Sequence, residues 1–403
     1  MRTLTYVRKR TLKWLEVPDV ELTADTDAIV RPIAVARCDL DSAYLPRDLG
    51  VPLQLAHLTH LVDPQVRDDL GRRPFTGPFP YGHECVAEVL ETGSGVRSLT
   101  RGDVVVVPFQ ISCGGCRTCS TGRTAFCTTD RHTSISMYGL GNVTGGWGGM
   151  MSDRLRVPFA DHMLLPVPTG VRPAALASAS DNLPDGWRAV AEPLRRWPSA
   201  PVLVLGGRAK SVGLYAVASA RALGAERVDY VDTNSTRLEI AQRLGADPLE
   251  RSPRWRQMRK PVSRYPVVVD ASGERGALAY AFRSLMPGGI CTSVAFYFGS
   301  GTRLPLWSLY SRQGTLTTGL VNARTELPAV LAAVADGRLR PEVVTDLVAD
   351  WDEAPSALLA PAAKAVITRP RSTGSEKGTG TSGATPDHGS APDDRDDVRR
   401  GER

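Results

Sequence analysis

Hydrophobic positions change their spacing near Trp187, and the change divides the chain into two differently patterned parts. Before it, short alternating or β-branched runs are separated by glycine and proline, as in Ala28–Pro32, Val86–Leu90 and Val104–Val107. Such runs are typical of the strands of an antiparallel, barrel-like domain. We therefore expect the first 160 residues to be mainly β structure.

From Trp187 onward, apolar strand-like runs alternate with helix-like segments. The predicted strands are Pro201–Gly206, Arg227–Asp232 and Tyr265–Asp270, and the predicted helices are Val212–Leu223, Thr236–Leu244 and Gly276–Leu285. This alternation predicts a parallel, doubly wound sheet. A helical Leu327–Val334 and strand-like pieces ending at Ile367 follow, and we expect them to rejoin the first domain.

Composition limits the class of protein. The chain of 403 residues is 42% hydrophobic and 23% charged, which is ordinary for a soluble globular protein of two to three domains. No apolar run is long enough for a bilayer span, and the basic N-terminus lacks the apolar core of a signal peptide. We therefore expect a cytoplasmic protein with no membrane partner. Residues 371–403 contain almost no apolar side chain, which predicts a disordered tail.

Basic residues are scattered along the chain. The formal net charge is +6, and the bases of Arg8–Arg10, Arg195–Arg196 and Arg251–Lys260 are not interleaved with aromatic residues. A nucleic-acid-binding surface would need such residues clustered on one face. We therefore expect no nucleic-acid partner. The alternative, a nucleic-acid-binding zinc module, predicts salt-sensitive binding to DNA or RNA.

Four of the seven cysteines lie in one loop: Cys113, Cys116, Cys119 and Cys127. Two-residue gaps let neighbouring thiolates face one centre, and Gly114–Gly115 allows the tight backbone that this needs. Four sulfurs at tetrahedral reach predict a structural zinc site with no open position. Metal is favoured over disulfides in a chain without an export signal. A redox cluster or free surface thiols are the alternatives.

A second, more dispersed set combines a thiol, an imidazole and a carboxylate. Cys38 ends a predicted strand, His83–Glu84 opens another, and Asp181 follows a run of small residues. One ligand of each kind would leave zinc a fourth position for substrate or water, which is the arrangement of a catalytic site. Each residue alone also fits a structural role, because a lone histidine is more often a hydrogen-bonded structural residue.

A glycine-containing turn follows the strand Pro201–Gly206. Glycine lets backbone amides approach a pyrophosphate, and the helix N-terminus adds partial positive charge. Asp232, at the end of the next strand, can bind both ribose hydroxyls of NAD and would repel the 2′-phosphate of NADP. NAD is therefore favoured over NADP. Arg237 would contact the adenine ribose or be solvated. A plain strand-to-helix turn is the alternative. The predicted cofactor-binding residues are Gly206, Gly207, Ser211, Val212, Gly213, Asp232 and Arg237.

Together these residues resemble the zinc-containing alcohol dehydrogenase family, the medium-chain dehydrogenase/reductases. The resemblance runs from about Ile29 to Pro370 and follows the family's order of parts, including Gly82–Glu84 and the four-cysteine loop. The segment Ser180–Trp187 is similar to the branch that uses aspartate as the third ligand of the catalytic zinc, which includes some formaldehyde dehydrogenases.

The resemblance implies an α/β fold with two domains. Residues 1–186 and 324–370 would form a GroES-like β-barrel catalytic domain that carries the structural zinc lobe at about residues 110–130. Residues 187–323 would form a Rossmann cofactor domain with a doubly wound parallel sheet. Family members are commonly dimers or tetramers, so a homodimer or homotetramer is also expected.

The resemblance also assigns roles to residues. Cys38, His83 and Asp181 would hold a catalytic zinc, and the four-cysteine loop would hold a structural zinc, giving two zinc ions per subunit. Asp41 matches the carboxylate that orients a histidine ligand, and Glu84 matches an acidic residue that approaches the metal.

Four features depart from the family pattern. Leu40 stands where a serine or threonine usually starts a proton relay, and a histidine further along is missing near Ala43. Asp39, Ser42, Glu84 or a zinc-bound water would then remove the proton. The stretch from Tyr44 to Tyr81 is longer than usual and is interpreted as a loop, with a substrate lid or an oligomer contact as the alternatives. The glycine turn is also longer, since its outer glycines are seven residues apart rather than five.

The predicted function is therefore hydride transfer between NAD and a small-molecule alcohol, aldehyde or ketone. Zinc would make the alkoxide accessible near neutral pH, and the nicotinamide would accept the hydride. A quinone or enoyl reductase of the same fold is one alternative, and that branch usually lacks both zinc sites. A non-catalytic, nucleotide-binding regulatory protein is the other alternative, and the relay position occupied by Leu40 favours it.

Overall fold

The structure is a computed structural model that describes residues 1–47, 49–129, 135–251, 260–261 and 263–372. The chain divides into a compact unit of residues 1–370 and the segment 371–403. Most of the predicted disordered tail, residues 373–403, lies outside the described residues. Within the described part of the chain, no helix combines the length and apolar character needed to cross a membrane.

The compact unit is built from β-strands and mostly short helices. In chain order, the strands are β1 (Arg2–Arg8), β2 (Thr11–Glu16), β3 (Ala28–Ala36), β4 (Phe79–Pro80), β5 (Cys85–Thr92), β6 (Val104–Val107), β7 (Leu155–Val157), β8 (Leu165–Pro166), β9 (Val202–Leu205), β10 (Val228–Asp232), β11 (Asp247–Glu250), β12 (Tyr265–Asp270), β13 (Leu285–Ser293), β14 (Thr315–Thr318), β15 (Leu347–Asp350) and β16 (Ala365–Thr368). The α-helices are α1 (Asp41–Tyr44), α2 (Gly50–Leu58), α3 (Pro64–Leu70), α4 (Arg117–Ser120), α5 (Ala160–Met163), α6 (Asn182–Arg196), α7 (Lys210–Ala222), α8 (Ser235–Arg243), α9 (Arg275–Ser284), α10 (Leu306–Tyr310), α11 (Ala323–Ala335) and α12 (Ala354–Ala357). Short 3₁₀ helices span Thr124–Phe126, Gly141–Thr144, Pro173–Ser180, Pro341–Val344 and Trp351–Glu353.

The first part of the chain forms two mainly antiparallel sheets. One has the strand order β2-β1-β4, and the other has the order β15-β16-β3-β5-β6-β8, with β7 also paired to β3. The apolar runs predicted as strands at residues 28–32, 86–90 and 104–107 lie in β3, β5 and β6. The C-terminal strand β16 pairs with β3, opposing Val366 to Ala36, so the end of the compact unit returns to this sheet.

A six-stranded parallel sheet has the order β11-β10-β9-β12-β13-β14. If these strands are numbered 1 to 6 along the chain from β9, their order across the sheet is 3-2-1-4-5-6. The direction in which successive strands are added therefore reverses between β9 and β12. All residues of β9 and β12 are buried, as the near-continuous apolar sequence of a strand covered on both faces requires. The predicted doubly wound sheet is confirmed, whereas the domain boundaries after residues 186 and 323 stay predictions.

The predicted helices of this part are confirmed to within a few residues. Helices α7, α8 and α9 begin one or two residues before their predicted starts and end one residue before their predicted ends. The predicted helix Leu327–Val334 is longer, because α11 extends from Ala323 to Ala335. Its N-terminal turn contains few apolar residues, so the apolar pattern showed only the middle of the helix.

The stretch from Tyr44 to Tyr81 is not a plain loop, contrary to the prediction, because it contains α2 and α3. Asp63 caps α3 through its side chain, which accepts a hydrogen bond from the backbone of Gln65 at 2.9 Å, and Pro64 occupies the first helical position. Both features favour the start of a helix. The stretch also contacts the second part of the chain, where Val62 bridges to Gly299.

Helix α6 joins the barrel to the parallel sheet. Its buried face includes Leu183, Trp187 and Val190, while its last turn carries the exposed Arg195. This face belongs to one hydrophobic core that also contains Ile33 of β3, together with residues of β9 and α7. The two parts therefore share a core. This core holds the N-terminus of α6 next to the C-terminal end of β3 and the start of β5.

Candidate active site

Three predicted metal ligands meet at one edge of the barrel. The ligand atoms of Cys38, His83 and Asp181 all lie within 4.8 Å of one another. Asp181 Oδ2 lies 3.2 Å from Cys38 Sγ and 3.5 Å from His83 Nε2. The residues are 5%, 1% and 8% exposed, respectively, so the cluster is shielded from bulk water.

Strand register explains why two of these residues meet. Strands β3 and β5 are antiparallel, with Val35 opposite Cys85, so the end of β3 leads to Cys38 at the same edge where His83 precedes β5. Gly82 makes the turn before His83 with a φ of 96°, and a Cβ there would lie 3.1 Å from the backbone nitrogen of Met151. Glycine is therefore the residue that fits this position.

Asp181 is brought to the same edge by its neighbour Ser180. The hydroxyl of Ser180 accepts a hydrogen bond from the backbone nitrogen of Cys85 at 2.8 Å and lies 3.1 Å from the carbonyl oxygen of the same residue. This contact fixes the end of the 3₁₀ helix against the start of β5. Asp181 then lies directly between that helix and α6.

The geometry and the donor types fit zinc. A tetrahedral zinc with bonds of about 2.0 Å to nitrogen or oxygen and about 2.3 Å to sulfur requires donor atoms roughly 3.3–3.6 Å apart. The contacts of 3.2 and 3.5 Å at Asp181 are close to this spacing. Thiolate, imidazole and carboxylate are all zinc ligands, and three of them leave one position open for a substrate.

The electrostatics of the cluster also favour a cation. Burial, followed by the negative charges of Asp181 and Glu84, raises the pKa of the Cys38 thiol well above its usual value. Burial lowers the pKa of His83, but the carboxylates of Asp41 and Asp181 outweigh it and raise that pKa to about 9. A cation among these groups would offset the repulsion between them.

Asp41 holds the turn that carries Cys38. Its Oδ2 accepts hydrogen bonds from the backbone nitrogen of Cys38 at 3.1 Å and from the hydroxyl of Tyr81 at 2.8 Å, and its Oδ1 accepts from Tyr44 at 2.8 Å. Oδ1 also lies 4.0 Å from Nδ1 of His83, a buried atom with no hydrogen-bond partner among the described residues. Asp41 is thus adjacent to the histidine that it was predicted to orient, at a distance longer than a hydrogen bond.

Glu84 points away from the three ligands. Its Oε2 lies 2.5 Å from Nζ of Lys364, and its Oε1 accepts from the backbone nitrogen of Asn182 at 2.9 Å. Glu84 and Lys364 are fully buried, and the cluster of possible ligand atoms does not include Glu84. Glu84 was predicted to approach the metal, and that stays a prediction. These contacts do not support it, because both carboxylate oxygens of Glu84 already have partners.

Asn182 and Lys364 are site residues that the sequence pattern did not indicate. Asn182 Nδ2 donates to Cys38 Sγ at 3.2 Å and to Asp181 Oδ2 at 3.0 Å, and its Oδ1 accepts from Lys364 at 2.8 Å. The position of Asn182 next to Asp181 was an available signal. Lys364 had no local signal, because it lies 280 residues from Glu84 and reaches the site only through the return of β16.

The four-cysteine loop forms the second cluster of possible metal ligands. The sulfur atoms of Cys113, Cys116, Cys119 and Cys127 all lie within 4.8 Å of one another. Cys116 Sγ lies 3.9 Å from Cys127 Sγ, close to the roughly 3.8 Å expected between two thiolates on a tetrahedral zinc. All seven cysteines lie within the described residues and are free, so disulfide bonds do not occupy these thiols.

The glycine turn after β9 leads into α7 at the point where the strand order reverses. A Cβ on Gly207 would lie 2.6 Å from the backbone of Ser272, so close packing against the loop after β12 requires this glycine. A Cβ on Gly206 would lie 2.4 Å from Asp232 Oδ2, and one on Gly213 would lie 3.0 Å from Ala271. The turn, the helix and the sheet edge have the arrangement in which this fold binds a dinucleotide.

Asp232 and Arg237 bind each other. Arg237 donates to both oxygens of the Asp232 carboxylate at 2.7 Å, and Asp232 also accepts from the hydroxyl of Tyr230 and the backbone of Thr233. Asp232 is fully buried. Arg237 was predicted to contact a ribose or to be solvated; instead its guanidinium forms a bidentate ion pair.

Ser211 and Val212 lie at the start of α7, where their backbone amides donate hydrogen bonds to the carboxylate of Asp39.

Comparison with known proteins identifies the family. The family model for the alcohol dehydrogenase GroES-like domain matches residues 25–169, and the model for the zinc-binding dehydrogenase domain matches residues 211–336. A probable zinc-binding alcohol dehydrogenase of Mycobacterium tuberculosis is 30% identical over 285 residues, covering 70% of this chain and 71% of the relative. The chain belongs to the zinc-type alcohol dehydrogenase family.

Two further matches extend the comparison within this family. The alcohol dehydrogenase from Thermus sp. ATN1 has a similar structure, with a TM-score of 0.74 and 29% identity over 91% of this chain and 99% of that chain. A glutathione-independent formaldehyde dehydrogenase of Pseudomonas aeruginosa is 40% identical over 182 residues, which is 43% of this chain and 44% of the relative. The predicted GroES-like and Rossmann fold is confirmed, and the protein is a zinc-dependent oxidoreductase acting on small molecules.

Proposed function

We propose that this dehydrogenase transfers a hydride reversibly between an alcohol and NAD, giving the corresponding aldehyde or ketone. The observation that carries the proposal is the meeting of Cys38 Sγ, His83 Nε2 and Asp181 Oδ2 within 4.8 Å in a buried site. These three residues would hold a catalytic zinc, and the four-cysteine loop would hold a structural zinc. When bound, the zinc supplies Lewis acidity to the substrate oxygen and NAD accepts the hydride.

The chain's own residues position the ligands and exclude water. Asp41 holds the Cys38 turn through a backbone hydrogen bond, and Asn182 donates to two of the three ligands. Leu40 carries no hydroxyl, so the proton needs another acceptor. Asp39, Ser42 and Glu84 are the side chains predicted for this role. The carboxylates of Asp39 and Glu84 already accept hydrogen bonds from other groups.

The aspartate ligand suggests the substrate class. Asp181 within Ser180–Trp187 supports a place in the branch with aspartate as third ligand, and the formaldehyde dehydrogenase relative supports short alcohols and aldehydes as substrates. NAD is proposed over NADP because β10 ends at Asp232, whose buried carboxylate would repel the 2′-phosphate of NADP. The guanidinium of Arg237 offsets this negative charge. A homodimer or homotetramer and a cytoplasmic location stay predictions.

The decisive experiment combines a metal count with an activity screen. Zinc-replete protein is analysed by mass spectrometry for zinc per chain, and NADH absorbance is followed with a panel of short alcohols and aldehydes. We expect two zinc ions per chain and turnover with at least one substrate pair. Protein that binds no zinc and reduces quinones or enones would instead be a reductase of the same fold. Protein that binds zinc and NAD yet is silent across the panel would be a non-catalytic binding protein.

A further inference from the structure

The N-terminus of α7 is already occupied by a carboxylate from the other part of the chain. The backbone nitrogens of Ser211 and Val212 both donate to Oδ2 of Asp39, at 2.8 and 3.1 Å. Ser211 and Val212 are buried, and Asp39 directly follows the predicted metal ligand Cys38. The contact therefore joins the turn that bears the metal ligand to the helix that follows the glycine turn.

These amides are the donors that a dinucleotide would use. In this fold the pyrophosphate lies at the N-terminus of the helix after the first strand, where free amides and the helix dipole favour an anion. The amides of Arg208 and Ala209 are committed elsewhere, because they donate to the carbonyl oxygens of Ser272 and Ala271 at 3.0 Å. The amides of Ser211 and Val212 can therefore donate to a pyrophosphate only after Asp39 has released them.

Asp39 is held in place by more than these two bonds. Its backbone nitrogen donates to Oδ1 of Asn182 at 3.2 Å, and the hydroxyl of Ser211 donates to the same oxygen at 3.0 Å. Asn182 in turn contacts Cys38 and Asp181. The carboxylate is therefore positioned against α7 by the same asparagine that contacts the metal ligands, and it has the same charge sign as the phosphate groups it would exclude.

We propose that Asp39 is an internal competitor for the pyrophosphate of NAD(H) and thereby sets a weak affinity for the dinucleotide. The inference rests on the proposed use of NAD(H). Binding of the dinucleotide requires the Asp39 carboxylate to leave the amides of Ser211 and Val212. A ligand without phosphate, such as adenosine, does not compete with Asp39, so its affinity is independent of this residue.

Two variants of the full-length, zinc-loaded protein test the proposal. Asp39→Asn removes the charge and keeps an acceptor oxygen, whereas Asp39→Gly removes both. Glu226→Gln is the control, because it removes one negative charge from an exposed residue just before the start of β10, at the opposite edge of the sheet. The dissociation constant of NADH is measured by nicotinamide fluorescence and that of adenosine by titration calorimetry. Zinc content and melting temperature show that each variant is folded and metal-loaded.

We expect Asp39→Gly to bind NADH on the order of tenfold more tightly than the original chain, with Asp39→Asn between the two. Adenosine affinity should not change, and Glu226→Gln should match the original chain for both ligands. Equal NADH affinity in all four proteins, or weaker binding by the Asp39 variants, would overturn the inference while leaving NAD(H) as the cofactor. If none of the proteins binds NADH or NADPH, the proposed cofactor fails and the inference fails with it.

Discussion

The four-cysteine loop and the three-ligand site differ in where their ligands come from. The loop draws its four thiols from residues 113–127, whereas Cys38, His83 and Asp181 come from three distant parts of the chain. Backbone amides within the loop donate to its own sulfurs, as Cys116 does to Cys113 at 3.3 Å. The loop is attached to the start of α11 by Asn322, whose side chain accepts from the backbone of Ala125 at 3.0 Å, and by Thr325, whose hydroxyl donates to the carbonyl oxygen of Gly122 at 2.9 Å.

The three-ligand site depends on side chains from several elements instead. Asn182 and Asp41 contact its ligands directly, and Lys364 reaches it from the segment that leads into β16. A local, closed set of ligands suits a metal that stabilises a fold, and a dispersed set with one open position suits a metal that acts on substrate. We therefore expect the two sites to fail in different ways, which four experiments can test.

The largest expected effect is on turnover when the dispersed site loses a ligand. Asp181→Ala should reduce zinc from two ions per chain to one and lower kcat/KM by about 10³-fold or more, since Lewis-acid stabilisation is worth several kcal/mol. Zinc analysis and the NADH assay measure both quantities. The exposed Asp336→Ala serves as the control and should match the original chain. Full activity of Asp181→Ala would show that the ligand assignment is wrong.

Loss of a ligand in the loop should act on stability. Cys119→Ala should lower the free energy of unfolding by about 4 kcal/mol, because loss of a structural metal is among the most destabilising single changes. Chemical denaturation followed by circular dichroism measures the difference. Cys291→Ala, which alters a buried thiol outside both clusters, should cost only about 1 kcal/mol. A larger loss of stability in Asp181→Ala than in Cys119→Ala would contradict the proposed division between the two sites.

A smaller effect is expected from the residue that contacts two ligands of the dispersed site. Asn182→Ala removes the donor to Cys38 and Asp181, so zinc at this site should bind about 10- to 100-fold more weakly. Competition with a chromophoric chelator measures the affinity. The zinc of the four-cysteine loop should be released at its original chelator concentration. Unchanged affinity at the dispersed site would mean that Asn182 does not support the ligands.

The smallest effect is expected from the corresponding neighbour in the loop. Thr118 Oγ1 lies 3.1 Å from Cys116 Sγ, and Thr118→Val removes this contact while leaving the backbone donors in place. The free energy of unfolding should fall by less than about 1 kcal/mol, and zinc affinity by less than about tenfold. The same denaturation and chelator measurements apply. An effect as large as that of Asn182→Ala would show that the loop also depends on side-chain neighbours.

The sequence predicted best what depends on short spacing. The four-cysteine loop and the alternating strands and helices could be inferred because each pattern is complete within a short stretch. Asp181 stood out as a ligand chiefly through a family resemblance, since little near it in the chain indicates a metal. The helices α2 and α3 were missed although Asp63 and Pro64 carry a recognisable helix start.

Contacts between distant segments were beyond prediction. The bond from Ser211 to Asp39 spans 172 residues, and it exists only because the shared core brings the barrel edge to the start of α7. The ion pair of Asp232 with Arg237 is closer in sequence, yet the sequence pattern alone did not pair the two residues. Tertiary packing, rather than local conformational preference, determines both of these contacts.

The late position of β16 has a consequence for how the protein is made. During synthesis, the segments that form the parallel sheet leave the ribosome before Lys364 does, and N-terminal segments generally fold first. The buried carboxylate of Glu84 therefore lacks its Lys364 counter-ion until almost the whole compact unit has emerged. This buried ion pair, which adjoins the three ligands through Asn182, is therefore among the last contacts of the compact unit that can form during synthesis.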